Sequence, residues 1–495
     1  MADKIPRMTM NEKQHGQSAD AGNAETAPAP RTAAGSPAAS AAGGKPSYLS
    51  FALMVFAATF GGLTQNIMNT ALPSLMRDIG INVTSGQLLT TIFPLCLGVV
   101  IPLVAFLSRR FSSKALTISA LACFLAGSLI IAMSDSFPLL VMGRILEGVS
   151  TGILVPLVQV VVLALYPKER WGLLMGIVGI AMGFAPNIGP TIGGAFTQFL
   201  GWRSCFWFLS AFSLLLLIAV LIWFRPRDIT EEHPPKLDWL SLILSSAGFG
   251  SLLMGFSNAS SFGFTAPESF AFIIVGAVLV AVFCTRQLRI PNPMLDLRTF
   301  QDRSFRVGTI MVCLLFCAFI GITLVIPMQL QTVEHFSALE AGLVLLPSSF
   351  VAAVMSPVSG ALVDRFGARK VSLVACTVLC IGTAMMLDLG HCTDLTYISI
   401  AQSLRQFGIA SLIMPLTVWS IRHLKGRMVA DGTSVTNALR QVAASLSTAI
   451  MVLMMAGGVA GGNATSAGVN AAMALSLAIA LVMLVMAATL VRDDV

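Results

Sequence analysis

The chain has 495 residues and a net charge of +7; 56% of its residues are hydrophobic and only 11% are charged. Soluble proteins carry about 25% charged residues, so this composition excludes an ordinary soluble globular protein. It predicts a chain that faces lipid over most of its length. The nine cysteines fall almost entirely within apolar runs, where cysteine behaves as a small apolar packing residue.

The first 46 residues differ from the rest of the chain. They are rich in Ala, Gly, Ser and Pro, with scattered charges. This stretch is too polar for the apolar core of a cleaved signal peptide. Its composition is typical of a disordered segment, and we predict that residues 1–46 form a disordered cytoplasmic tail.

Apolar segments long enough to cross a membrane follow the tail. A bilayer core needs about 20 apolar residues per helix, and helices are required because backbone polar groups cannot be left unpaired in lipid. Fourteen segments meet this requirement, at about 48–72, 87–108, 115–134, 137–163, 171–198, 203–224, 238–258, 268–286, 306–330, 338–360, 370–390, 395–420, 432–457 and 467–491.

The basic residues agree with this division. With the N-terminal tail inside, the outer side keeps only Arg77 and Arg203, while the basic residues of the other loops fall inside. Cytoplasmic loops of membrane proteins carry an excess of Lys and Arg. An even number of spans therefore fits, and it places both termini in the cytoplasm.

A short loop between apolar segments occurs twice. Gly360–Lys370 reads Gly-Ala-Leu-Val-Asp-Arg-Phe-Gly-Ala-Arg-Lys, and an earlier copy at 105–114 reads Ala-Phe-Leu-Ser-Arg-Arg-Phe-Ser-Ser-Lys. In our alignment of the two copies, Ser108 takes the place of Asp364. The copy in the N-terminal half is therefore expected to lack the acidic residue that the C-terminal copy has. Repeated bundles are the plan on which many secondary transporters are built.

An Arg-Glu pair lies inside the fourth apolar segment. Arg144 lies several residues into the span, where a charged side chain is costly and usually marks a functional position. Glu147 follows three residues later, so both side chains share one face of a helix. Two interpretations stay open: a proton-linked charge switch, and a structural ion pair that holds helices together.

The fifth segment is rich in glycine and proline. Glycines in membrane helices let backbones approach closely, and proline bends a helix and frees backbone carbonyl groups. The residues concerned are Gly183, Gly189, Pro190, Gly193 and Gly194.

Together these segments resemble the Major Facilitator Superfamily and, within it, the fourteen-helix drug:proton antiporter family. The resemblance covers about residues 48–491. It is carried by Gly143–Gly152, Gly179–Gly194, Lys236–Trp239, Gly360–Lys370 and Asn437–Gln441.

The resemblance implies an all-α integral membrane fold with two six-helix bundles and two extra central helices. The expected parts are the tail at 1–46, an N-terminal bundle at 47–226, two extra helices at 227–290 and a C-terminal bundle at 291–495. The extra helices are interpreted as a linker pair without a role in substrate binding.

The resemblance also assigns roles to residues. It implies a cytoplasmic latch, which we call the latch loop, formed by Gly360, Asp364, Arg365, Gly367, Arg369 and Lys370. It implies the antiporter motif of exporters, formed by Gly183, Gly189, Pro190, Gly193 and Gly194. Proton coupling or substrate binding is expected of Asn66, Asn69, Arg144, Glu147, Arg440 and Gln441.

One departure from the family pattern concerns the first helix. The family has an aspartate where this chain has Thr64. A buried carboxylate can carry a proton because burial moves its pKa towards neutrality, whereas a threonine cannot. Proton coupling has therefore either moved to Glu147, the one acid well inside the N-terminal bundle, or been lost.

We therefore expect a secondary active transporter of the plasma or inner membrane. It would export drugs or other amphipathic or cationic compounds in exchange for protons, by alternating access along a path between the bundles. Met54, Met68, Met175, Met182 and Phe184 are expected to offer adaptable apolar surface.

The expected partners are a small-molecule substrate, protons and the lipid bilayer. We expect a monomer with no nucleic-acid partner. The sequence has no phosphate-binding loop, catalytic triad or metal cluster, so we expect no cofactor, no metal and no enzymatic activity. Two alternatives stay open: an uncoupled or differently coupled exporter of a lipid or metabolite, and a transport-deficient membrane sensor or scaffold.

Overall fold

Long helices account for nearly all of the described chain. The structure, a computed structural model, describes residues 47–81, 83–225, 238–291, 293–332, 334, 336, 338–389, 394–457 and 465–491. The predicted tail at 1–46 lies outside the described residues. The helices are α1 Tyr48–Ile79, α2 Val83–Val100, α3 Val104–Arg110, α4 Ser113–Met133, α5 Phe137–Leu165, α6 Trp171–Leu200, α7 Trp202–Trp223, α8 Trp239–Phe262, α9 Pro267–Arg289, α10 Arg303–Thr332, α11 Ala338–Phe366, α12 Ala368–Ala384, α13 Leu395–Ile421, α14 Arg427–Met455 and α15 Ser466–Thr489.

Prolines interrupt or bend two of these spans. Pro102 lies in a 3₁₀ turn, Ile101–Leu103, that joins α2 to α3, and Leu88–Arg110 is apolar enough to count as one span. Pro186 and Pro190 lie inside α6, which bends by 41° between its two halves. Proline removes a backbone donor and clashes with the preceding turn, which explains both irregularities.

The predicted number of fourteen spans is not confirmed. Among the described residues, twelve helices are long and apolar enough to cross a membrane, or thirteen if the bent α6 is counted as one span. The remaining predicted span corresponds to α12, which has 17 residues. That length is at the lower limit for crossing a bilayer core.

The extra helices α8 and α9 form a hairpin, and Asp238 joins the start of α8 to the end of α9. This residue precedes α8, and its carboxylate accepts hydrogen bonds from the Ser241 hydroxyl at 2.6 Å and from Arg286 Nη2 at 3.1 Å. Burial disfavours the charged carboxylate, but these hydrogen bonds outweigh it and hold the pKa of Asp238 below its ordinary value.

The α8–α9 hairpin is not a detached linker. Helix α8 packs on α9 and also contacts α2 of the N-terminal half and α14 of the C-terminal half. An added Cβ at Gly98 of α2 would lie 2.2 Å from Cδ1 of Leu253 on α8, and 3.5 Å from Cγ of Gln441 on α14. The hairpin therefore fills the gap between the two halves on one side of the molecule.

The two halves meet on the opposite side through α6 and α11, which contact each other extensively, and the residues from 47 onwards form one compact unit. The predicted boundary between 226 and 227 lies in the segment 226–237, outside the described residues. The division at 47–226, 227–290 and 291–495 therefore stays a prediction.

Candidate functional site

A cavity of about 940 Å³ lies between the two halves. Its wall includes residues of α1, α2, α5 and α6 of the N-terminal half, of the extra helix α8, and of α10, α11 and α14 of the C-terminal half. Four wall residues, Asn69, Pro73, Arg77 and Gln198, are exposed near the C-terminal ends of α1 and α6. The cavity therefore opens at that end of the helices.

The other end of the molecule, which we call the basic end, carries the loops after α3, α5, α11 and α13. There the latch loop packs on the start of α6. Added Cβ atoms at Gly172 and Gly360 would each lie within 2.4 Å of the carbonyl oxygen of the other glycine. The helices α6 and α11 can cross this closely only because neither residue has a side chain.

Asp364 of the latch loop caps α6 across this crossing. Its Oδ2 accepts a hydrogen bond from the backbone N–H of Leu173 at 3.2 Å. The first N–H groups of a helix have no partner within it, and a negative charge there is favourable. Asp364 therefore links the C-terminal half to the N-terminal half at the basic end.

The other latch-loop residues lie around the turn between α11 and α12. Gly367 has φ of +85°, which glycine adopts without strain, and this allows the sharp turn between α11 and α12. Arg365 lies over the ring of Phe366, and Arg369 donates to the carbonyl oxygen of Ala488. Lys370 is exposed at the start of α12.

The earlier copy of the loop makes the matching contact with the opposite charge. Arg109 is buried, and its Nη1 lies 3.3 Å from Oδ1 of Asp431, a fully buried residue near the start of α14. Its Nη2 donates to the carbonyl oxygen of Met294, in the segment after α9, at 2.8 Å.

This contact corrects the interpretation of Ser108. When the Arg-Phe dipeptides of the two loops are aligned without a gap, Asp364 lies opposite Arg109. Ser108 turns back to its own helix and donates to the carbonyl oxygen of Ala105 at 3.1 Å. The N-terminal copy therefore has an acidic partner, but the acid, Asp431, lies on the other half of the protein.

The antiporter motif in α6 packs against α1. Pro190 has no N–H to donate to the carbonyl oxygen of Pro186, and Nδ2 of Asn66 donates to that oxygen instead, at 2.9 Å. Added Cβ atoms would lie 3.1 Å from Asn66 Cβ at Gly189 and 2.4 Å from Thr70 Oγ1 at Gly193. These glycines allow the close crossing of the two helices.

The other two glycines of the motif have more space around them. An added Cβ at Gly183 would be 3.9 Å from its nearest neighbour, Ala352 of α11. At Gly194, which lines the cavity, an added Cβ would meet nothing within 4 Å. The five motif residues therefore have different surroundings, and two of the glycines are required for packing against α1.

Glu147 lies in the core of the N-terminal half and does not line the cavity. Its Oε2 lies 2.7 Å from Arg144 Nη1 and accepts from the Thr64 hydroxyl at 3.1 Å, and its Oε1 accepts from the Ser128 hydroxyl at 2.7 Å. Both Glu147 and Arg144 are fully buried. Thr151, one turn further along α5, does line the cavity.

Arg144 is held by several helices at once. Its Nε donates to the carbonyl oxygen of Leu89 at 3.1 Å, its Nη1 is 3.4 Å from the Thr64 hydroxyl, and the ring of Phe93 lies 4.5 Å from the guanidinium carbon. Its Nη2 has no hydrogen-bond partner among the described residues. The pair is thus joined to α1, α2 and α4 through a small polar network.

The remaining residues expected to bind substrate or protons lie on the cavity wall. Asn66, Asn69, Arg440 and Gln441 all line it, and Asn69 donates to Asn66 Oδ1 at 3.3 Å. Of the expected apolar surface, Met182 lines the cavity, whereas Met54, Met68 and Met175 are buried in the packing of the helices and Phe184 is not on the wall.

Sequence reasoning missed the contribution of α8 to this wall. Leu253, Phe256, Ser257 and Ser260 of this extra helix line the cavity. The interpretation of the extra helices as a linker pair without a substrate role therefore does not fit the cavity. The serines among apolar residues in the second half of α8 were the available signal, but without α2 and α14 beside them they point to no particular surface.

Comparison with known proteins identifies the family. Residues 54–448 match the family model described as Major Facilitator Superfamily. The chain belongs to the Major Facilitator Superfamily. It is a multi-pass membrane transporter and not an enzyme, as predicted, and the predicted all-α fold of this superfamily is confirmed. Among the described residues, no group of three or more His, Cys, Asp or Glu side chains could hold a metal ion.

Relatives of this transporter include proteins named for drug resistance. An uncharacterized MFS-type transporter, YcnB, of Bacillus subtilis is 35% identical over 86% of this chain and 92% of its own length. The lincomycin resistance protein LmrB of Bacillus subtilis is 32% identical over 82% of this chain and 85% of its own length. The multidrug export protein EmrB of Haemophilus influenzae is 27% identical over 79% of this chain and 77% of its own length.

A solved structure with the same fold is that of the human organic anion transporter MFSD10. It superposes with a TM-score of 0.59 over 87% of this chain and 97% of that one, at 15% sequence identity. This similarity concerns the fold alone.

Proposed function

We propose that this transporter exports amphipathic small molecules across the plasma membrane in exchange for protons, with Glu147 as the proton carrier. The observation that carries the proposal is the contact between the Thr64 hydroxyl and Glu147 Oε2, at 3.1 Å. Thr64 lies at the position where the drug:proton antiporter family has an aspartate. A carboxylate is therefore retained next to Arg144, but α5 supplies it instead of α1.

The surroundings of Glu147 suit a group that changes its charge during transport. A buried carboxylate next to a buried arginine is stable while both are charged, and protonation of Glu147 would leave Arg144 without its ion-pair partner. The network that joins this pair to Thr64, Ser128 and the carbonyl oxygen of Leu89 would then rearrange. Thr151 connects α5 at this level to the cavity wall.

The arrangement of the two ends supports alternating access. The proposal places the basic end in the cytoplasm, together with both termini, in agreement with the excess of Lys and Arg in its loops. The contacts made by Asp364 and Arg109 then act as two cytoplasmic latches of opposite charge, and the cavity opens to the outside. The names of relatives such as LmrB and EmrB support drugs as the class of cargo.

The test begins with a growth screen against amphipathic antibiotics in an efflux-deficient bacterial host, which supplies a substrate. Efflux of that substrate is then measured in proteoliposomes with and without an imposed pH gradient. We expect Glu147→Gln to abolish the stimulation by the gradient, and Ser128→Ala, which removes a neighbour of the carboxylate but no acid, to retain it. Moving the acid back to α1 in the double variant Thr64→Asp/Glu147→Gln should restore stimulation.

Equal stimulation of the wild type and Glu147→Gln would refute the role of Glu147. Gradient-independent efflux by the wild type would favour an uncoupled exporter. An absence of efflux for every compound in the screen would favour a sensor or scaffold.

A further inference from the structure

Arg440 of α14 is a buried cation that faces the cavity without an acidic partner. The side chain is 7% exposed and lies on the cavity wall. Its guanidinium carbon lies 4.5 Å from the ring centre of Phe316, and its Nη1 lies 3.7 Å from Met182 Sδ. Among the described residues, no ion pair and no oxygen acceptor is found for this guanidinium.

These two contacts fix the position of Arg440 but leave most of its hydrogen-bonding capacity unused. A guanidinium group has five N–H donors. A ring face and a thioether sulfur are weak partners compared with a carboxylate or carbonyl oxygen. The unused donors are therefore available to a molecule inside the cavity.

The charge of the whole wall has the same sign. Arg77 at the exposed rim is the other ionisable residue on the wall, and the described wall residues include no aspartate or glutamate. Glu147, the acid inside the N-terminal half, is fully buried and paired with Arg144. The wall therefore does not offer the negative charge that a cationic substrate needs.

The rest of the wall is divided between polar and apolar surfaces. Gln441, Ser445 and Thr448 continue from Arg440 along α14. Phe256 of α8 and Phe319 of α10 contribute apolar surface to the same cavity. A ligand that satisfies both surfaces has an apolar body and one polar, acceptor-rich end.

We propose that the cavity binds amphipathic anions, with a carboxylate, sulfonate or phosphate group on Arg440 and the apolar body against the aromatic side chains. Oxyanions present pairs of oxygen atoms that match the fork of N–H groups on a guanidinium, and in a partly desolvated site such charge-assisted hydrogen bonds are strong. The inference rests on the proposed function, since it names the substrate class of the same cavity, but it concerns binding and not coupling.

The test compares three probes that share one apolar body. Binding of 1-pyrenebutyrate, 1-pyrenebutanol and 1-pyrenebutylamine to the purified protein in an uncharged maltoside detergent is measured by energy transfer from tryptophan to pyrene. Partition into empty micelles is subtracted. We expect the carboxylate probe to bind at least tenfold more tightly than the amine, with the alcohol between them.

Two substitutions then locate the effect. Arg440→Gln should lower the affinity for the carboxylate about tenfold and leave the alcohol within twofold, while Arg440→Lys should retain a preference for the carboxylate. Arg77→Gln, the matched change at the exposed rim, should alter the affinity less than threefold because solvent screens that charge.

Tighter binding of the amine than of the carboxylate in the wild type would overturn the proposal even if no variant folds. An unchanged carboxylate affinity in folded Arg440→Gln would overturn it as well. Both results are independent of the pH-gradient experiments on Glu147, because binding in detergent requires neither a gradient nor transport.

Discussion

Replacing Gly360 by alanine should open the basic end of the transporter. An added Cβ at Gly360 would lie 2.0 Å from the carbonyl oxygen of Gly172. The obstacle is backbone, so no rotamer change can relieve it, and α6 and α11 must separate by at least about 1 Å. Overpacking of this kind typically costs about 1–3 kcal/mol.

That cost applies to the arrangement in which the basic end is closed. When α6 and α11 part there, the added methyl group has room, so the substitution shifts the equilibrium towards the open basic end. A difference of about 1–3 kcal/mol corresponds to a change in the population ratio of roughly 5- to 150-fold. The matched control is Gly194→Ala, where an added Cβ meets nothing within 4 Å.

The populations can be measured with spin labels at Glu169 and Lys425, which are exposed at the basic end on opposite halves. The labels are attached by cysteine chemistry in a variant lacking the nine native cysteines. Gly360→Ala should increase the long-distance population in double electron–electron resonance, while Gly194→Ala should match the wild type. Identical distance distributions for the wild type and Gly360→Ala would refute the reasoning.

Three further predictions concern the other contacts. Asp431→Asn should lower the free energy of unfolding in detergent by about 3–5 kcal/mol because it leaves Arg109 buried without its charge partner. The double variant Asp431→Asn/Arg109→Gln should lose less than the sum of the two single losses, and an additive loss would contradict a direct ion pair. Gly193→Ala should lower the free energy of unfolding by about 1–3 kcal/mol because the added methyl group overpacks the contact with α1. Gly194→Ala should change it by less than about 0.5 kcal/mol, and equal melting temperatures of these two variants would contradict the close crossing of α1 and α6. Asp238→Asn should cost about 1 kcal/mol above pH 5, since its partner on α9 is partly exposed. Because the folded pKa of Asp238 is lowered, the difference should vanish as the pH falls through that pKa, and a pH-independent difference in melting would contradict the ion pair.

Much of the fold follows from the sequence because the bilayer imposes a strong constraint. A helix in lipid must satisfy its own backbone hydrogen bonds, so apolar length alone predicts where most helices lie. The repeated loop and the Gly-Pro motif of α6 were recognisable for a similar reason: close helix crossings need glycine, and a bent helix needs proline. Gly172 shows the limit, because its partner Gly360 is distant in sequence and a single glycine gives no signal of its own.

The charges of the site were decided by the tertiary structure. The spacing of Arg144 and Glu147 on one helix predicted that they lie close together, but the sequence does not say which groups Arg109, Asp431 and Arg440 contact. Packing of the helices pairs Arg109 with Asp431 and buries Glu147 against Arg144, while it leaves Arg440 on the cavity wall beside Phe316. Apolar length by itself determined that this protein spans a membrane, because that property is local to each segment. Pairing of residues distant in sequence, such as Arg109 and Asp431, depends on distances of a few ångströms between different helices, and so only the folded arrangement could decide it.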